Sequence, residues 1–355
     1  MNVVHISSVP EEEQHSPTRK FHSYCRNLSL ALGGIRNIGT WAGGHPFDVQ
    51  IRRIPPGAAV CPLHSHFAQW ELFAVRMGAG TIRVGGETHA VKPGDVFVHP
   101  PDEPHQLINS GSTDLEVFIF ADNPPLDGCY YPDSNKWVLR PAGKIFRMIE
   151  VDYFDGEDDE KCGAEAHAEV PAGTASATTP VYRPPPPPKP NSISPFGKRK
   201  IHPDDLPWES WGSPKGKFRG TSKELSIALG AKRRTPTGLG GHPFELELGK
   251  LAPGERGCPF HSHAAQWELL IFLEGTVTVR AGDESLVLHG GDVVLHPPGE
   301  SHDFTNTGET DLLYYLVADN PPIDIWRYPD SNKWGINTPR TFFRPVEVDY
   351  WDGEE

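Results

Sequence analysis

Two histidines one residue apart, His64 and His66, are followed by Glu71 and, a hairpin's length later, by His105; the set recurs as His261, His263, Glu268 and His302. Side chains two apart on an extended chain share a face, so each HxH pair can meet one ligand. Three neutral imidazoles and a carboxylate form a mixed nitrogen and oxygen donor set suited to a divalent transition ion, and an octahedral ion held this way keeps two open positions. An isolated HxH in a chain with 17 histidines means little. The weight comes from uneven divergence between the copies. Residues 48–55 differ from 245–252 at all eight positions, whereas 64–71 differ from 261–268 only at Phe67/Ala264.

Other residue types cluster near these ligands. On a regular strand Gln69, Glu71 and Phe73 point the same way, which makes Gln69 and its counterpart Gln266 candidates for orienting ligands or touching substrate. Cys61 and Cys258 stand three residues before the first histidine and would face away from it on a regular strand, although Pro62 and Pro259 argue against regularity. As a small buried hydrophobe or as a reactive thiol, each belongs among the candidates. His99 and His296 precede a Pro-Pro turn and suit either a proton shuttle or a packed strand end. The heptapeptide YPDSNKW, at 131–137 and 328–334, has strong turn chemistry and offers Tyr131 and Tyr328 as a clamp or as packing aromatics.

The elements that must position these groups are legible from a duplication. GGHPF at 43–47 returns at 240–244, an offset of 197 that aligns HSHFAQWEL with HSHAAQWEL and VHPP with LHPP without a gap. Each copy is about 140 residues, a comfortable domain size. The expected division is an N-terminal extension over 1–19, a domain over 20–156, a linker over 157–205 and a second domain over 206–355. The linker passes through an acidic cluster, an Ala/Thr stretch and RPPPPPKP (183–190), a composition that favours a solvated polyproline-II spacer. Within each copy, short period-2 apolar runs such as TVTV (276–279), DVVLH (292–296) and LLYYLV (312–317) predict strands. Turn signals at Gly85-Gly86, Pro93-Gly94 and Gly290-Gly291 space them as in an antiparallel sandwich or small barrel, with helix confined to pieces such as SLALG (29–33) and SIALG (226–230). With 36 glycines and 37 prolines in 355 residues, a helix bundle is excluded.

Charge narrows the partner. A net charge of −14 leaves no basic excess to neutralise phosphates, so the expected partner is a small molecule rather than nucleic acid or an anionic membrane. No apolar run approaches the ~18 residues of a membrane span, and the N-terminus has acids where a secretory signal needs a basic and then an apolar run. Five cysteines without CxxC spacing fit reduced thiols and a cytoplasmic location.

Each half resembles the cupin superfamily. Its first motif is matched by Gly57, His64, His66, Glu71 and Gly78, and again by Gly254, His261, His263, Glu268 and Gly275; its second by Gly94, Pro100, His105 and Asn109, and by Gly291, Pro297, Gly299, His302 and Asn306. Asp102 alone departs, standing where the motif has a turn glycine. The resemblance covers roughly 100 residues of each half and implies an all-β fold of two tandem double-stranded β-helix barrels, jelly-roll-like, with one divalent transition metal (Fe, Mn, Ni, Cu or Zn) in each. It leaves the reaction open. One reading is a dioxygenase-like oxidoreductase acting on a small oxygen-rich or aromatic substrate; quercetinase-like members keep the glutamate ligand, as this chain does twice. A second is Lewis-acid isomerase, lyase or decarboxylase chemistry on a sugar or small acid, and a third is a non-catalytic small-molecule-binding module. In oxalate decarboxylases that resemble the first motif, the position of Cys61 carries a substrate-binding arginine, so cysteine there counts against that reaction. A homodimer also suits such barrels.

Overall fold

The computed structural model describes residues 1–140, 142–149, 151, 153, 195–337 and 340–354. Of the expected linker over 157–205, residues 157–194, with the proline run, lie outside them. The regular structure of the described chain is mostly antiparallel strands, with two one-turn α-helices at Leu28–Ala31 and Leu225–Ala228 where the short helical pieces were expected, and a few single 3-10 turns.

Each half folds into a barrel whose largest sheet has seven strands. In the N-terminal barrel the order is Lys200–Ile201, Val96–His99, Glu71–Met77, Leu115–Asp122, Phe47–Ile54, His22–Asn27 and Glu12–His15. In the C-terminal barrel it is Asn2–His5, Asp292–His296, Glu268–Glu274, Leu312–Asp319, Phe244–Leu251, Arg219–Glu224 and Glu209–Gly212. The barrels therefore exchange edge strands. Lys200–Ile201, just ahead of the C-terminal unit, pairs with Phe97 and Val96, while Asn2–His5, ahead of the N-terminal unit, pairs with Asp292–Leu295. Each borrowed strand covers an edge that would otherwise present unpaired backbone groups. Residues 195–201 belong structurally to the first barrel: Phe196 packs into its interior, Arg199 forms an ion pair with Glu103, and Lys200–Ile201 supplies the edge strand.

Period-2 alternation sorts the side chains of the large sheets. Along Phe47–Ile54, Phe47, Val49 and Ile51 face outward and join Phe244, Leu246 and Leu248 of the other half in one core between the barrels. The intervening Asp48, Gln50 and Arg52 face the interior of their own barrel. A second core, with Ile82, Phe97, Leu107 and Leu115, fills the N-terminal barrel, and a third, with Phe272, Val277, Val294 and Leu312, fills the C-terminal one.

The GGHPF repeats lie at the junction of the barrels. The His45 ring packs at a tilt against Trp267 with ring centroids 5.1 Å apart, and His242 does the same against Trp70 at 4.7 Å. The second glycine of each pair has no room for a side chain: a Cβ on Gly44 would lie 1.8 Å from the Ile38 carbonyl oxygen, and one on Gly241 would lie 1.6 Å from that of Thr235. At the motif departure, Asp102 adopts φ 64° where Gly299 has φ 86°. Aspartate is among the few residues that tolerate this left-handed region, so the turn survives the replacement.

Candidate metal centres

Backbone pairing brings the four predicted ligands of each barrel together. His64 and His105 exchange backbone hydrogen bonds of 3.2 and 2.8 Å, and His261 and His302 do the same at 3.0 and 2.7 Å. The Ser65–His66 strand pairs with Cys129 and Tyr130, and Glu71 opens a strand running between those of His99 and Ala121.

The side chains then converge. His64 Nε2 lies 3.1 Å from His66 Nε2, and His105 Nε2 lies 2.8 Å from Glu71 Oε2. Glu71 Oε2 is 3.9 Å from His64 Nε2 and 3.7 Å from His66 Nε2. In the second barrel the pair His261 Nε2 and His263 Nε2 is also 3.1 Å apart, and His302 Nε2 is 2.8 Å from Glu268 Oε2.

Every Nδ1 is engaged elsewhere. His64 Nδ1 donates to the Pro62 carbonyl at 3.1 Å and His105 Nδ1 to the Glu103 carbonyl at 2.9 Å, while His66 Nδ1 bonds to Asp127 Oδ2 at 2.8 Å. Their counterparts use Pro259, Glu300 and Asp324. With the Nδ1 atoms committed, the Nε2 atoms of each HxH pair face each other, an arrangement satisfied by a shared proton or by a metal cation between them. Two nitrogens on adjacent octahedral positions of an ion at ~2.1 Å lie ~3.0 Å apart, close to the separation seen. The donor atoms thus fit one divalent ion per barrel.

The electrostatics agree. Burial alone would raise the Glu71 carboxyl, but the His105 hydrogen bond and the surrounding imidazoles hold it well below the usual carboxylate range. Burial and the neighbouring His105 and His66 push His64 well below its ordinary value, leaving it a neutral donor. At His66 burial opposes positive charge, yet the bonds to Asp127 and Cys129 and the charge of Glu71 raise it to about 10. The potential that favours a proton there also favours a cation.

Asp127 and Asp324 escaped the sequence reading. Asp127 Oδ1 also accepts from the backbone N–H of Phe67 at 3.1 Å and of Ala68 at 3.0 Å, so one carboxylate fixes both the His66 ring and the turn after it. Asp324 likewise holds His263 and accepts from Ala265 N at 2.9 Å. The available signal was DNPPLD at 122–127 against DNPPID at 319–324.

The remaining candidates divide by position. Gln69 and Gln266 line the two cavities and donate to the carbonyls of Asp122 and Asp319, both at 2.6 Å. Cys61 lines the first cavity with Sγ 3.5 Å from His64 Nδ1, because Pro62 breaks the strand that would have turned it away; Cys258 packs against the core of its barrel. Burial pushes both thiols far up, so neither is a ready thiolate. His99 and His296 stand behind the cavities. Each ring stacks on the ligand histidine, at 4.1 Å on His105 and 4.0 Å on His302, and each Nδ1 bonds to a glutamate, Glu103 or Glu300. Tyr131 and Tyr328 stack on His64 and His261 at 6.0 and 5.9 Å and face the cavities, while Trp137 is buried against Phe67 and Tyr130. The repeated heptapeptide thus gives one cavity aromatic per barrel and one packing aromatic in the first.

The cavity above the N-terminal donor set measures about 290 Å³ and the one above the C-terminal set about 210 Å³, room for a small ligand. Among the described residues, no helix is long and apolar enough to cross a membrane.

Comparison with known proteins places both halves. The cupin domain profile matches residues 50–121 and 247–318. The chain is 27% identical over 141 residues to auxin-binding protein 1 of Arabidopsis thaliana, covering 37% of this chain and 64% of that protein. It is 36% identical over 64 residues to the oxalate-binding protein of Thermotoga maritima, covering 18% and 52%. The matches thus span about half to two thirds of these curated relatives. Among solved structures, oxalate decarboxylase of Lactobacillus farciminis in its formate complex superposes with a TM-score of 0.52 at 15% identity, over 90% of this chain and 86% of that one. At that identity the likeness concerns the fold.

Proposed function

The chain belongs to the cupin superfamily as a two-barrel member, and from that premise we propose that it is a metal-dependent enzyme of the lyase or decarboxylase kind acting on a small oxygen-rich substrate. In this reading His64, His66, Glu71 and His105 hold one divalent ion, and His261, His263, Glu268 and His302 hold the other. The observation that carries it is the pair of facing Nε2 atoms at 3.1 Å in each barrel, with both Nδ1 atoms committed. A bound ion supplies Lewis acidity that polarises a carboxyl or carbonyl oxygen.

The chain's own groups do the rest. Asp127 and Asp324 fix the tautomer and angle of one ligand imidazole in each barrel. Tyr131 and Tyr328 cover one side of the donor set, and Gln69 and Gln266 present amides to the ligand space.

Support for this reading comes from a relative in sequence, a protein that binds oxalate, a small acid of the kind such chemistry takes. The described cysteines, Cys25, Cys61, Cys129 and Cys258, are free thiols, in keeping with a reducing, cytoplasmic setting.

The test is elemental mass spectrometry on untagged protein, followed by an anaerobic turnover assay with oxalate and other small acids. About two equivalents of a divalent ion per chain and product formation without dioxygen are expected. Turnover that stops without dioxygen would return the oxidoreductase reading to first place, and metal bound without any product would leave a binding module.

A further inference from the structure

The strand that diverged completely between the copies forms one wall of the ligand cavities. On the N-terminal strand, Asp48, Gln50 and Arg52 line the cavity; the equivalent positions on the C-terminal strand are Glu245, Glu247 and Gly249. The donor sets are therefore alike while the surfaces facing them differ in charge.

Arg52 is the clearest difference. Its Nε donates to Gln50 Oε1 at 3.1 Å, and one terminal nitrogen donates to Gln14 Oε1 at 2.6 Å and Ser23 Oγ at 3.1 Å. All three partners are neutral, and its other terminal nitrogen has no hydrogen bond among the described residues. Arg140 has the same character, donating to Asn37 Oδ1 at 3.1 Å and Gln69 Oε1 at 3.3 Å. Two guanidiniums thus border the N-terminal cavity without a carboxylate partner among the described residues. In the C-terminal barrel both of these positions have lost their arginine; Arg234 and Arg340, likewise without an ion pair to a carboxylate among the described residues, line that cavity from other positions, beside Glu224, Glu245 and Glu247. Asn337 replaces Arg140, and Gly249 replaces Arg52, in a place closed by the Tyr314 ring, 2.2 Å from where a Cβ on Gly249 would stand. The first cavity is lined by three arginines against two carboxylates, counting Glu71; the second by three arginines against five, counting Glu268.

We infer that the two barrels have parted in specificity: the N-terminal barrel takes a small carboxylate whose anionic group pairs with Arg52, and the C-terminal barrel does not take that anion. The inference rests on the proposed metal centres and names the substrate class of one of them. Arg52 reaches the cavity from the Phe47–Ile54 strand. Arg52 is a specificity-determining residue in this arrangement. The free terminal nitrogen of the guanidinium can donate a charge-assisted hydrogen bond to a carboxylate, and the hydroxyl and amide partners hold the group without neutralising it.

The experiment is calorimetric titration of the Mn(II)-loaded full chain with oxalate, and separately with malonate, with metal content measured on every sample. Wild type is expected to bind one equivalent of at least one of these acids per chain while holding two metal ions. Arg52→Gln should keep both ions and bind that acid on the order of 10- to 100-fold more weakly, the span of a charge-assisted pair. Arg52→Lys should fall between. Gln50→Glu, which sets a carboxylate beside Arg52 without removing it, should also weaken binding and serves if Arg52→Gln fails to fold. Two equivalent acid sites per chain, wild-type affinity in Arg52→Gln, or no binding of either acid to a chain holding two ions would each overturn the inference and leave the metal centres standing. A chain that takes up fewer than two ions would overturn the metal centres and the inference with them.

Discussion

The His45 ring of the N-terminal barrel packs at a tilt against Trp267 of the C-terminal barrel, one residue before the candidate ligand Glu268, and His242 returns the contact to Trp70, one residue before Glu71. Each barrel's donor strand is therefore braced by the other barrel. An aromatic pair contributes about 0.5–1.5 kcal/mol beyond the area it buries. His45→Ala and His242→Ala should each lower the thermal midpoint by a few degrees, taking roughly 2–4 °C per kcal/mol for units of this size. The double variant should separate the unfolding of the barrels into two calorimetric transitions. A single unshifted transition would show that the contacts do not couple them.

Asp127 and Asp324 hold one ligand histidine each. Partners of this kind typically change metal affinity 10- to 100-fold. Asp127→Asn should weaken the N-terminal site by about that factor and leave the C-terminal one unchanged, and Asp324→Asn the reverse, as read by competition with a chromophoric chelator. Equal weakening of both sites would mean that the change acts on the fold and not on one imidazole.

The barrels and the meeting of the eight candidate donors were readable because a duplicated motif with period-2 strands constrains both the backbone and which face a side chain takes. His64 and His66, two apart, meet because that spacing is local. Asp127 meets His66 only through strand pairing across 61 residues, and neither carries a local pattern that announces the other. The exchanged edge strands were hidden for a related reason. Asn2–His5 and Lys200–Ile201 are too short for a periodic signal, and they lie in segments whose composition reads as extension and linker. Cys61 turns into the cavity because Pro62 interrupts the strand, an irregularity that spacing alone registers only as doubt. The complete divergence of residues 48–55 from 245–252 was visible from the start; its meaning was not, because only the sheet shows that Asp48, Gln50 and Arg52 face the donor set.

Replacing His64 by alanine should remove one metal ion per chain and leave the C-terminal site filled, as counted by elemental analysis; retention of both ions would sink the ligand assignment. The same loss has a stability signature, because an ion that binds only the native state stabilises it by about 2.7 kcal/mol at a free concentration one hundred times Kd. Chelation of wild type should therefore lower its midpoint by more than chelation of His64→Ala does.

Glu247 gives the pH dependence its sign. It lines the C-terminal cavity where the N-terminal barrel has Gln50, and burial together with Glu224 raises its carboxyl from 4.5 to about 8 despite Arg233. The folded protein thus keeps a proton that the unfolded chain releases near 4.5. The stability tied to that proton is fully present below pH 4.5 and is lost as pH rises through about 8. Glu247→Gln holds the neutral state at every pH, so its midpoint relative to wild type should climb from pH 5 to about pH 8 and then level off. A difference constant across that range would mean that Glu247 titrates as an ordinary carboxylate and that the acidic wall of the second cavity is solvated.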